Sequence, residues 1–161
     1  MQGSIYQINV KPSVSGERGI PKSSVGHAYL SRTGVTGDYN LYRTEKKDGT
    51  LDRAVLVIPL ETITQLADAG WSVQPGDLGE NITTQGIPYG SFAIGSRWKV
   101  DEAMIQISEV CKPCKNLRVL PYVGLTKIIP FVRTLVGRRG WYARVLKEGN
   151  IRKDALINYI E

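Results

Sequence analysis

One histidine, His27, serves the whole 161-residue chain. A Ser-His-Asp triad is hard to build around it, and structural zinc sites usually take four Cys or His ligands, where this chain offers His27 and two cysteines. Two cysteines are also too few for a disulfide framework; in a reducing compartment such a pair is catalytic, metal-binding or simply buried. No apolar run approaches bilayer-crossing length, which argues against membrane insertion. The opening residues MQGSIYQINVKPS lack the basic start, apolar core and small-residue cleavage site of a secretion signal, so the expected compartment is the cytoplasm. The phosphate-cradling G-x-x-x-x-G-K-[ST] and dinucleotide G-x-G-x-x-G patterns are missing, which argues against nucleotide-driven enzymes of those classes.

Acidic residues are nearly missing from one stretch. Residues 112–153 hold eleven Lys or Arg and a single acid, Glu148, for a local charge of +10 within an overall +6. Such a segment either forms a solvated basic face or meets an anionic partner: a phosphorylated small molecule, a nucleic acid or an acidic protein.

What is present reads as one domain over residues 1–161. SIYQINV alternates apolar and polar residues, and RAVLVI is a short β-branched run suited to a buried strand. PLETITQLADAG predicts a helix: Pro59 suits its first turn, Glu61 its positive end, Ile63, Leu66 and Ala67 share a face, and Gly70 ends it. SRWKVDEAMIQIS predicts a hairpin turning at Asp101-Glu102, and WYARVLKEGNIRKDALI another around Gly149-Asn150. Between them, KNLRVLPYVGLTKIIPFVRTLVG is helical in spacing but interrupted by Pro121 and Pro130, predicting one or two short helices. Glycine-bearing loops separate nearly every element. The fold class expected is therefore mainly β, a closed or partly closed barrel with a few short peripheral helices.

The chemistry concentrates in ISEVCKPCKNL, residues 107–117, which holds Cys111 and Cys114. The spacing leaves four readings open: half of a zinc site, a redox couple, two buried thiols, or one reactive thiol. For the last, Lys112 and Lys115 flank Cys114, and a helix beginning at Pro113 would aim its amides at the sulfur; both effects stabilise a thiolate. Two glycine-bearing loops add polar groups. PGDLGENIT carries Glu80 and Asn81, and GRRG carries Arg138 and Arg139, a planar fork for phosphate or carboxylate or else a solvated turn. A nucleic-acid module, with Phe131, Trp141 and Tyr142 interleaved among the basic residues, is a further reading, although strand alternation in GWYARVL would turn some of these rings inward.

Successive blocks resemble the MOSC domain found at the C-terminus of molybdenum cofactor sulfurases: INVKPSVSGERGIPK, GVTGD, DRAVLV, PGDLGENITTQGI, KPCKNL and GRRGWYARVLKEGNI, in order along nearly the whole chain. The resemblance implies a barrel-like β fold and a role around the molybdenum cofactor, a phosphate-bearing pterin whose dithiolene binds molybdenum. It places the role of metal ligand or sulfur (persulfide) carrier on Cys114, and Asn81 matches a position that contacts the cofactor. Reduction of N-hydroxylated substrates, with electrons from a partner protein, is the activity implied; a non-catalytic cofactor or sulfur carrier serving a molybdoenzyme is the alternative. Lys115 is expected to keep Cys114 ionised, Glu80 to sit with Asn81 at the cofactor, and Arg138 and Arg139 to meet the phosphate on electrostatic grounds. Two blocks depart from the family: EKKDGTLDRAV has no histidine-glycine stretch, and IRKDALINYI replaces a terminal Gly-Asp pair. The separate N-terminal barrel fused in the reductases is not expected here.

Overall fold

A computed structural model describes residues 1–12, 14, 16, 18–40 and 50–161. The EKKDG part of the departure noted above lies outside them. Eleven strands are described: β1 Gln2–Val10, β2 Ser23–Val25, β3 His27–Ser31, β4 Gly34–Val35, β5 Val55–Pro59, β6 Ile82–Gln85, β7 Arg97–Val100, β8 Ala103–Val110, β9 Trp141–Lys147, β10 Gly149–Arg152 and β11 Leu156–Tyr159. Among the described residues the α-helices are α1, Leu60–Asp68, and α2, Gly124–Leu135.

Seven strands close a barrel in the order β11-β7-β8-β9-β5-β6-β1, with β1 returning to β11 through Gln2↔Asn158 and Ser4↔Leu156. β1 serves three neighbours by length: residues 2–4 pair β11, residues 4–8 pair β6 across a register shift between Ile5 and Gln7, and residues 8–10 pair β2. β5 and β6 run parallel, and α1 lies in the crossover between them. The other barrel neighbours are antiparallel. A small sheet, β10-β3-β4, lies apart.

The apolar residues divide into two cores. One fills the barrel with Ile5, Val55, Val57, Trp98, Ile105, Ala143 and Ile157 among others; the second, with Leu56, Ile58, Leu66, Cys111, Leu117 and Phe131, lies between the outer wall and the helices. β5 is buried on both faces, which is why RAVLVI shows no alternation. α1 contributes Ile63 and Leu66 to the outer core, and α2 contributes Ile128, Phe131 and Leu135, the spacing of one helical face.

The helix at Leu60 and the hairpin at Asp101-Glu102 form as their residues predict; Asp101 sits in the left-handed region at φ 53°. The second expected hairpin does not form. Both edges of β9 are already taken by β5 and β8, so β10 leaves the barrel and pairs β3 instead. Gly149 permits that exit, since a Cβ there would lie 2.8 Å from the Glu102 carbonyl carbon. Pro130 does not interrupt its helix either. It lies on the exposed side, as does Thr126, whose carbonyl loses its amide partner, and Thr134 Oγ1 donates to the Pro130 carbonyl at 2.9 Å. Among the described residues no helix is long and apolar enough to cross a membrane.

Candidate functional site

A pocket of about 110 Å³ opens on the outer wall of the barrel, where Leu56 of β5 and Tyr142 of β9 face outward. Four loops complete it: residues 18–22, residues 39–40, residues 78–81, and the cysteine loop 111–116, with Arg139 entering from beside β9.

PGDLGENIT forms one side by being stitched to the GIPK segment. Gly76 stands at φ 96°, and a Cβ there would lie 2.3 Å from the Lys22 carbonyl oxygen, while Lys22 N donates to the Gly76 carbonyl at 2.9 Å. Only glycine fits so close an approach in that conformation. Glu80 braces this loop from within: its Oε1 accepts from Gly76 N at 2.6 Å and Thr83 Oγ1 at 3.0 Å. It is fully buried and does not line the pocket, and burial raises its carboxyl above the usual range despite those hydrogen bonds. Asn81 does line the pocket, but its polar atoms are engaged. Oδ1 accepts from Leu56 N, and Nδ2 donates to the Asn9 carbonyl and, at 2.8 Å, to Asp38 Oδ2. Asp38 also binds Lys22 Nζ at 2.5 Å in a buried ion pair and accepts from Lys11 N. Asn81 therefore joins β5, β1 and the Lys22–Asp38 pair into one rigid wall.

The two cysteines are free thiols in different surroundings. Cys111 directly follows β8, is 2% exposed, and donates its backbone N–H to the Gly140 carbonyl. Cys114 is exposed and lines the same pocket. The helix expected to begin at Pro113 instead begins after Cys114, in an extended conformation at φ −137° and ψ 160°, and is a five-residue 3₁₀ turn, Lys115–Val119. Pro113 disfavours a helical residue before it, and so short a turn carries little dipole. Lys112 lines the pocket, whereas Lys115 is exposed and outside its lining.

The two arginines of GRRG separate. Arg138 is half-buried outside the lining, while Arg139 is 4% exposed and enters the pocket. Gly140 makes that entry: at φ 102°, a Cβ would lie 2.7 Å from the Val57 carbonyl oxygen, so the chain presses against β5. Nε and Nη1 of Arg139 are buried and find no hydrogen-bond partner. Burial works against its charge, but Cys111, Tyr142, Cys114 and Glu80 outweigh it and raise the guanidinium further, so Arg139 is a cation at any working pH. Arg53 at the rim differs, being held by Glu109 in a two-point pair at 2.5 and 2.9 Å and lying 5.4 Å from the Tyr142 ring centre.

Of the residues singled out in the sequence, Cys114, Asn81 and Arg139 meet in one pocket, and Glu80 supports it from behind. Lys22, Asp38 and Arg53 were not singled out, and Tyr142 only as a ring of the nucleic-acid reading, although GIPK, GVTGD, DRAV and GWYARV all lie in the blocks that carry the resemblance. Phe131 is fully buried and Trp141 packs against the barrel core, so neither ring stands free on the surface.

Fold and site together define a closed β-barrel with a cysteine-bearing, cationic pocket on its outer wall. The MOSC domain matches residues 44–158, and the chain belongs to that family. YiiM of Escherichia coli is 28% identical over 141 residues, covering 84% of this chain and 60% of that protein; YflK of Bacillus subtilis is 30% identical over 113 residues, covering 70% and 50%. The chain thus spans half to three-fifths of the length of these two relatives. A protein named Reductase from Gibberella moniliformis is 34% identical over 87 residues, 53% of this chain and 15% of that one. Solved structures share the fold: YuaD of Bacillus subtilis superposes with a TM-score of 0.78 at 20% identity, covering 98% of this chain and 94% of that one, and YiiM of Geobacillus stearothermophilus with 0.76 at 24%, covering 99% and 75%.

Proposed function

We propose that this pocket binds the molybdenum cofactor, with Cys114 as the thiolate ligand of the metal. The observation that carries the reading is a solvent-reachable thiol sharing one pocket with a buried guanidinium whose Nε and Nη1 lack partners. A soft sulfur donor suits a metal already held by dithiolene sulfurs, and the cation suits a cofactor that is anionic overall. Lys112 adds positive charge at the mouth. When bound, the cofactor would supply two-electron redox chemistry at molybdenum, with N-hydroxylated compounds as the substrate class and a separate protein in the cytoplasm as electron donor.

The chain's own part is positional. The Asn81–Asp38–Lys22 network holds the pocket wall, and the extended backbone at Cys114 presents its sulfur outward. The same exposed thiol would equally suit transfer of sulfur as a persulfide to a molybdoenzyme. Metal analysis together with fluorescence of the oxidised pterin separates these readings, on protein from a molybdate-fed host. Molybdenum and pterin are expected with the unmodified chain and Cys111→Ser, and are expected to be lost with Cys114→Ser. Their absence from every sample, while a control molybdoprotein loads in the same host, would leave sulfur transfer as the better account.

A further inference from the structure

We infer that the inner end of this pocket is a receptor for a small oxyanion or carboxylate, which Arg139 holds beside the Cys114 thiol. The molecules that react at Cys114 are therefore negatively charged close to the reacting atom. The inference shares the pocket with the reading above but does not require the cofactor, because every group it uses belongs to the chain.

Charge accounting within the pocket leads there. Lys22 is paired with Asp38, and Arg53 with Glu109. Arg139 is more deeply buried than Arg53, yet it makes no hydrogen bond through Nε or Nη1. The buried acid nearest in electrostatic effect, Glu80, directs one oxygen to Gly76 N and Thr83 Oγ1 and forms no ion pair with Arg139. An unpaired guanidinium removed from water is costly, and a fold that keeps one at the wall of an open pocket meets that cost when an anion arrives. Neutral donors do not explain it, since a buried polar side chain of any other kind would be cheaper to leave there.

Size narrows the ligand. About 110 Å³ leaves room for several water molecules, and so for a carboxylate or tetrahedral oxyanion beside the guanidinium. Position narrows it further. Cys111, Cys114 and Arg139 line one pocket, so an anion on the guanidinium shares it with the thiols.

The test uses the metal-free 161-residue chain carrying Cys111→Ser, which leaves Cys114 as its one thiol. Alkylation rates are measured with iodoacetate, an anion, and iodoacetamide, its neutral counterpart of similar size. The iodoacetate-to-iodoacetamide rate ratio is expected to fall about tenfold in Arg139→Gln and to be largely kept in Arg139→Lys, in line with a hydrogen bond to a charged group. Inorganic phosphate is expected to slow iodoacetate more than iodoacetamide when Arg139 is present. The same ratio in all three chains, with their near-ultraviolet dichroism unchanged, overturns the inference. Should Arg139→Gln fail to fold, the phosphate competition decides alone, and equal slowing of both reagents overturns it. Because no metal is present, a failed cofactor reading with an intact charge preference, or the reverse, is read directly.

Discussion

Glu80 holds its proton more tightly than a carboxyl in water, because its burial outweighs the hydrogen bonds from Gly76 and Thr83. The sign of the consequence follows from linkage. Between the ordinary value of 4.5 and the raised one, the folded chain keeps a proton that the unfolded chain has released, so stability falls as pH rises through that window. Glu80→Gln keeps an oxygen for Gly76 N and removes the titration. Its stability relative to the unmodified chain is expected to grow as pH rises above 4.5, as read by denaturant unfolding at successive pH values between 4 and 8. Parallel curves for the two proteins would show that the carboxyl is not held this way. Asn81 shows the limit of reading single letters: its family position was visible in GENIT, but its bonds to Leu56, Asn9 and Asp38 were not, because those partners are remote in sequence.

The segment from Gly137 to Gly140 places Arg139, and its glycines are unequal. Both have positive φ, but only at Gly140 does an added Cβ meet backbone, 2.7 Å from Val57 O, whereas at Gly137 nothing lies within 4 Å. Gly137→Ala is expected to cost about 1 kcal/mol, for the strained backbone alone. Gly140→Ala adds a steric conflict and is expected to cost at least ~3 kcal/mol, lowering the melting temperature by roughly 6–12 °C. Equal melting temperatures for the two variants would mean that the approach to β5 does not position this segment. The sequence announced the turn through its two glycines but not which arginine would be buried. That depended on the close contact with β5, some 80 residues earlier in the chain.

Barrel closure couples the two ends of the described chain. Ile157 of β11 is 2% exposed and packs in the barrel core, between strands that begin at Gln2 and at Arg97. Ile157→Ala is expected to cost 2–4 kcal/mol by the usual range for a large-to-small change in a core, measured by chemical unfolding. Ile129→Ala, on the exposed face of α2 at 53%, is expected to stay within about 0.5 kcal/mol. A similar loss at both would indicate that the end strand is not part of the cooperative unit.

Local chemistry settled much of this in advance. The β-branched runs, the α1 helix with its apolar face, the Asp101-Glu102 turn and the glycine-bearing loops are properties of neighbouring residues, and they already pointed to a mainly β barrel. The blocks in order along the chain pointed to the MOSC family, to which it belongs. Tertiary structure decided what neighbours cannot. The edges available around β9 sent β10 to another sheet, the exposed side of α2 let Pro130 remain within the helix, and the turn after Cys114 formed later and shorter than expected. It also separated Arg139 from Arg138, Glu80 from Asn81 and Cys114 from Cys111, pairs alike or close in sequence, by burying one member against distant strands and leaving the other to a different environment.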